Sequence, residues 1–104
     1  MSSIRTTGAL VAKRVIVTGK VQGVGYRYGL ADVARGLHIG GWCRNLPDGT
    51  VEAFLQGDAA RVGQVLDWMR QGPPGAQVQQ VLIEEQAVLE PMLAETIQAF
   101  EIRR

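Results

Sequence analysis

With one cysteine and one histidine in 104 residues, the chain can form no internal disulfide and cannot build a metal shell of the usual nitrogen and sulfur ligands. Its carboxylates form no cluster that would hold a hard cation instead. No metal and no cofactor are therefore expected, and a fold independent of disulfides points to the cytoplasm. No apolar run is long enough to span a bilayer, and no charged start leads into an apolar targeting core. Neither sign of charge dominates: 11 Lys and Arg against 10 Asp and Glu give +1, spread along the chain. That balance offers no electrostatic footprint for nucleic acid or for a membrane surface.

Apolar residues make up 46% and charged residues 20%, ordinary values for one globular domain with a single core. Residues 1–10, polar and without periodicity at their start, are read as a mobile tail, and residues 11–104 as the domain. No internal repeat or low-complexity segment interrupts it.

The most informative stretch is Gly19-Lys20-Val21-Gln22-Gly23-Val24-Gly25-Tyr26-Arg27, where a β-branched run ends and a helical pattern begins. Tyr26, Leu30, Val33, Ala34 and Leu37 fall at helical spacing, which predicts a helix starting near Gly25 or Tyr26. Its first N–H groups have no partner within the helix, and residues 22–26 contain no Ser, Thr, Asp or Asn to cap them. Arg27 lies in the first turn, the unfavourable end of the helix dipole for a cation. A bound phosphate answers both problems. The plainer alternative is a tight strand-to-helix turn whose donors are met by water. The stretch is neither a Walker loop, which closes on Gly-Lys-Ser/Thr, nor a dinucleotide fingerprint, whose third glycine would stand at Tyr28.

Strands are predicted over residues 11–18, 41–45, 50–56 and 78–83, the last with a bulge near Gln79 and Gln80, and a short edge strand at 100–102. A second helix, capped by Asp58, carries the apolar stripe Ala59, Val62, Val65, Leu66 and Met69 and stops at Gly72-Pro73-Pro74-Gly75. Leu37-His38-Ile39-Gly40-Gly41 supplies a glycine stop for the first helix, Leu46-Pro47-Asp48-Gly49 is a hairpin turn, and residues 87–94 are ambiguous. The order β-α-β-β-α-β, with a fifth strand possible, defines an α+β, ferredoxin-like split βαβ sandwich: an antiparallel sheet of four to five strands with both helices on one face. In that topology the glycine loop and Asn45 leave the sheet at the same end, two strand spacings or roughly 10 Å apart. A phosphoryl group held by Arg27 would fill most of that gap, leaving about one water beside the Asn45 amide.

Asn45 is also a plain turn residue by pattern, and its functional reading depends on that placement. His38 lies about 15 Å from the loop, at the far end of the helix, and reads as a capping or solvated side chain. Cys43 reads as a small buried hydrophobe, with a redox-sensitive thiol as the alternative, Trp42 and Trp68 as packing, and Asp48 as turn chemistry. An RNA-recognition module on the same general fold is disfavoured for want of paired strand aromatics and a basic surface. A non-catalytic anion-binding module is a further rival, which bound but unconsumed acyl phosphate would favour.

Taken together, Gly19-x-Val21-Gln22-Gly23-Val24-Gly25-Tyr26-Arg27, Gly41-Trp42-x-Arg44-Asn45-x-x-Asp48-Gly49-x-Val51-Glu52, Gly72-Pro73-Pro74-x-Ala76-x-Val78 and Phe100-x-Ile102 resemble the acylphosphatase family over residues 13–104. The resemblance implies a metal-free hydrolase that splits acyl phosphates into a carboxylate and inorganic phosphate. It also implies that Gln22, Gly23, Val24, Gly25, Tyr26 and Arg27 form the phosphate-binding loop, that Arg27 binds the phosphoryl group, and that Asn45 positions the attacking water. The partners then expected are a small acyl phosphate as substrate and inorganic phosphate as product and competing ligand. Neither nucleic acid nor membrane is expected, and the chain should act as a monomer.

Overall fold

The computed structural model describes residues 9–88 and 100–104. The order is β1 (Leu10–Lys20), α1 (Tyr26–Gly36), β2 (Gly40–Asn45), β3 (Val51–Asp58), α2 (Ala59–Gln71), β4 (Gln77–Gln86) and β5 (Glu101–Ile102). Residues 1–8 of the expected tail and 89–94 of the ambiguous segment lie outside the described residues. Leu10, assigned to the tail from sequence, already pairs with Asp58, and the Ala9 carbonyl accepts from Ala59 N–H.

The five strands form one sheet in the order β4-β1-β3-β2-β5. All pairs are antiparallel except β2–β5, which is parallel, so the sheet is mixed rather than wholly antiparallel. Strand β3 lies between β1 and β2 and runs against both, so the ends of β1 and β2 emerge on one side, as the split βαβ order requires. The expected bulge is present: Thr18 faces Gln80 and Gly19 faces Val78, leaving Gln79 as the extra residue.

Alternation along the strands sends Val15, Val17, Cys43, Val51, Ala53 and Leu55 to one face. There they meet Leu30, Ala31 and Ala34 of α1 and Val62, Val65, Leu66 and Met69 of α2 in a single buried cluster. The helices touch closely at Gly29, where a Cβ would lie 2.7 Å from the Trp68 ring. That contact, not a ligand, accounts for a glycine inside α1.

On the opposite face Glu52 is buried between Arg14 Nε at 2.7 Å and Arg44 Nε at 2.6 Å. Burial alone would raise its carboxyl, but the two guanidiniums outweigh it and hold the group below the usual glutamate range. Trp42 and Phe54, cross-strand partners, stack there with centroids 6.4 Å apart, so paired strand aromatics exist after all. The Trp42 ring already carries the guanidiniums of Arg44 at 5.4 Å and Arg103 at 4.9 Å, which occupy the surface a nucleobase would need.

Candidate active site

The loop between β1 and α1 is shaped by glycine. Gly23 and Gly25 have φ of 76° and 79°, left-handed values that other residues adopt at a cost. A Cβ at either would meet nothing within 4 Å, so the missing side chains leave space open in front of the backbone. Gly25 is the N-cap of α1 and no side chain caps the helix. The helix's first backbone bond runs from Gly29 N–H to Gly25 C=O, so the N–H groups of Tyr26, Arg27 and Tyr28 precede the ladder.

These donors open on a hollow of about 130 Å³ lined by Val21, Gly23, Gly25, Tyr26, Arg27, Tyr28 and Asn45. At about 30 Å³ for each water-sized group, it holds roughly four, the three oxygens of a phosphoryl group and one water. The topology therefore brings Arg27 and Asn45 to one cavity although 18 residues and a whole helix separate them in the chain.

Each expected residue has a definite position. The Tyr26 ring is buried against Trp68 at 5.3 Å and its hydroxyl donates to the Met69 carbonyl at 2.7 Å, so the side chain is engaged with α2. Val24 packs against the core and Gln22 turns aside, and neither lines the hollow. The Gln22 Nε2 donates to the carbonyls of Leu46 at 2.8 Å and Thr50 at 2.9 Å. It thereby staples the glycine loop to the hairpin turn that follows Asn45. Asp48 closes that turn, accepting from the Thr50 N–H at 3.1 Å and hydroxyl at 2.7 Å, which holds its carboxyl below the ordinary value. The Oδ1 of Asn45 is buried with no hydrogen-bond partner among the described residues, a state that costs about 1–3 kcal/mol unless a water or ligand meets it.

Arg27 is partly exposed, and its Nη1 reaches the Arg103 carbonyl at 3.4 Å. The Cys43 thiol beneath it donates to the Arg27 carbonyl at 3.9 Å. Burial pushes that thiol up to about 11 despite the opposing pull of Arg27 and Arg35, so it is inert at neutral pH. His38 lies past the far end of α1, and among the described residues no three His, Cys, Asp or Glu side chains gather where a metal could bind. Val21 and Tyr28 line the hollow unforeseen; helical spacing alone could have marked Tyr28, since it falls outside the apolar stripe of α1 yet beside Arg27.

The fold and this cavity define a small α+β domain with a glycine-walled hollow at one end of its sheet. The sequence model of the acylphosphatase family matches residues 13–102. An acylphosphatase of Acaryochloris marina is 42% identical over 95 residues, covering 91% of this chain and 96% of that protein. One from Bordetella parapertussis is 56% identical over 70 residues, 67% of this chain and 74% of the relative. The crystal structure of the Bacillus subtilis acylphosphatase superposes with a TM-score of 0.81 at 30% identity, covering 90% of this chain and 99% of that one. The chain belongs to the acylphosphatase family.

Proposed function

We propose that the chain hydrolyses acyl phosphates, with Arg27 and the loop N–H groups holding the phosphoryl group and Asn45 holding the attacking water. The observation that carries this is the shared hollow: the uncapped start of α1, Arg27 and Asn45 line one space of about 130 Å³. The donors and Arg27 meet the charge that grows on the phosphoryl oxygens, while the Asn45 amide, by rotating its buried oxygen toward a water, gains the partner it lacks.

In the reaction the water oxygen bonds to phosphorus as the bond from phosphorus to the acyl oxygen breaks. The carboxylate departs with that electron pair, and the water proton passes to a phosphoryl oxygen. A mixed anhydride has a good leaving group, so neither a general acid nor a metal is invoked. A sole, buried cysteine is compatible with the cytoplasm. No helix among the described residues is long and apolar enough to cross a membrane.

The test is benzoyl phosphate hydrolysis, with inhibition by inorganic phosphate measured alongside. Arg27→Lys keeps the charge but loses the two-pronged contact, and turnover should fall about 10²–10³-fold. Asn45→Ala should lower kcat while phosphate still inhibits. Near-normal turnover in either variant removes that residue from the mechanism.

A further inference from the structure

Beside the phosphate hollow lies a larger one of about 290 Å³, lined by Arg27, Tyr28, Ile102, Arg103 and Arg104. The two share Arg27 and Tyr28, so a ligand held at the inner hollow by one end can lay its other end in the outer one. Nothing in the reaction above uses this second space.

Its walls have a definite chemistry. Tyr28 is 67% exposed, whereas the other five aromatic residues are buried or half-buried, so its ring contributes little to the core and is free to pack on a ligand. Ile102 adds an apolar patch at the end of β5. Arg103 is fixed in direction, its Nε on Glu101 at 3.0 Å and its guanidinium over Trp42. Arg104 has no hydrogen bond or ion pair among the described residues. Arg27, Arg103 and Arg104 thus line the space, and among the described residues Glu101 is the only side-chain carboxylate paired to any of them. At about 30 Å³ for each water-sized group, the volume holds about ten.

We propose that this outer hollow is the acyl subsite, and that it favours acyl phosphates whose organic half carries a second anionic group over those whose organic half is neutral. The proposal rests on the inner hollow being the phosphoryl site. Tyr28 and Ile102 give the carbon skeleton a surface, and the arginines meet the distal charge.

A matched pair of substrates tests it: benzoyl phosphate and 4-carboxybenzoyl phosphate, which differ by one carboxylate remote from the bond that breaks. In the unaltered protein at low salt, kcat/KM should be about three- to ten-fold higher for the carboxylated substrate, in keeping with exposed charge pairs, and the ratio should shrink as salt is added. Arg104→Gln should bring the ratio toward one, Arg104→Lys should retain it, and Arg104→Glu should invert it. A ratio near one in the unaltered protein, or one that survives Arg104→Glu, overturns the subsite while hydrolysis of benzoyl phosphate itself keeps the phosphoryl site intact. If neither substrate is consumed, the phosphoryl site fails and takes the subsite with it.

Discussion

The two helices lie on the same face of the sheet, yet their ends are finished in opposite ways. Helix α2 begins at Asp58, whose carboxylate accepts from Arg61 N–H at 3.1 Å, and ends at Gly72, whose positive φ of 71° suits glycine. Helix α1 begins at a left-handed glycine with no side-chain cap and carries a cation, Arg27, in its first turn. At its other end the left-handed residue is His38, with φ 57°. A helix stabilised only by its own sequence would look like α2. The N-terminus of α1 has no side-chain cap on the side where the hollow lies, and the proposed function places the phosphoryl group there.

The sharpest way to break that contrast is to give α1 the cap that α2 already has. Gly25→Asp puts a carboxylate where the phosphate should bind, at a position whose left-handed backbone aspartate tolerates better than most residues. Hydrolysis should fall at least ~100-fold. Inorganic phosphate at 100 times its Kd should stabilise the unaltered protein by about 2.7 kcal/mol and the variant hardly at all, read as the shift in Tm. Equal protection of both by phosphate would mean that the N-terminus of α1 is not the anion site.

A smaller effect should follow from cutting the staple between the loop and the hairpin. Gln22→Ala removes two hydrogen bonds and lets the Asn45 turn drift from the phosphate loop. We expect kcat to drop about ten-fold, because small misplacements of a positioned reactant are costly, while the inhibition constant for phosphate changes much less. A parallel loss in both would mark Gln22 as a phosphate ligand instead.

How far these features could be read in advance depends on how local their causes are. The Asp58 cap, the start of α1 after Gly25 and the bulge at Gln79 follow from residues within a few positions of one another, and all were legible. Gln22 was legible as a loop residue but not as a staple, since its acceptors lie 24 and 28 residues away. Strand β4 runs to Gln86, past the expected end at Ile83, because Glu84 and Glu85 stand opposite Arg14 and Lys13, and a charged run that looks like a terminus is neutralised across the sheet. The outer hollow was invisible, since it exists only once β5 is laid parallel to β2 and the Phe100 carbonyl is gripped by Arg35 Nε and Nη2 at 3.0 and 2.7 Å.

The remaining predictions concern stability. Asp58→Ala leaves the α2 donors unmet and should cost about 1 kcal/mol, a fall in Tm of about 4–8 °C for a domain of this size. Its hydrolysis of benzoyl phosphate should not change, and added phosphate should raise its Tm by as much as it raises that of the unaltered protein. Failure of phosphate to do so would show that the two helix ends are coupled rather than independent.

The smallest effect tests the far end of α1. The glycines at 40 and 41 looked like the stop, but the chain turns at His38, whose N–H donates to the Arg35 carbonyl at 3.1 Å while Ile39 N–H donates to the Ala34 carbonyl at 2.8 Å. That pair of bonds closes a helix around a left-handed residue, a position where glycine is usual and an L side chain costs about 1–2 kcal/mol. His38→Gly removes that cost but gives the unfolded chain more freedom, a loss of about 0.4–1 kcal/mol. The difference favours the variant by about 0.8 kcal/mol, a rise in Tm of about 3–6 °C. Because the hollow is at the opposite end of the helix, kcat and phosphate inhibition should stay as they were. A fall in Tm would mean that the His38 side chain holds this corner more strongly than its backbone strains it.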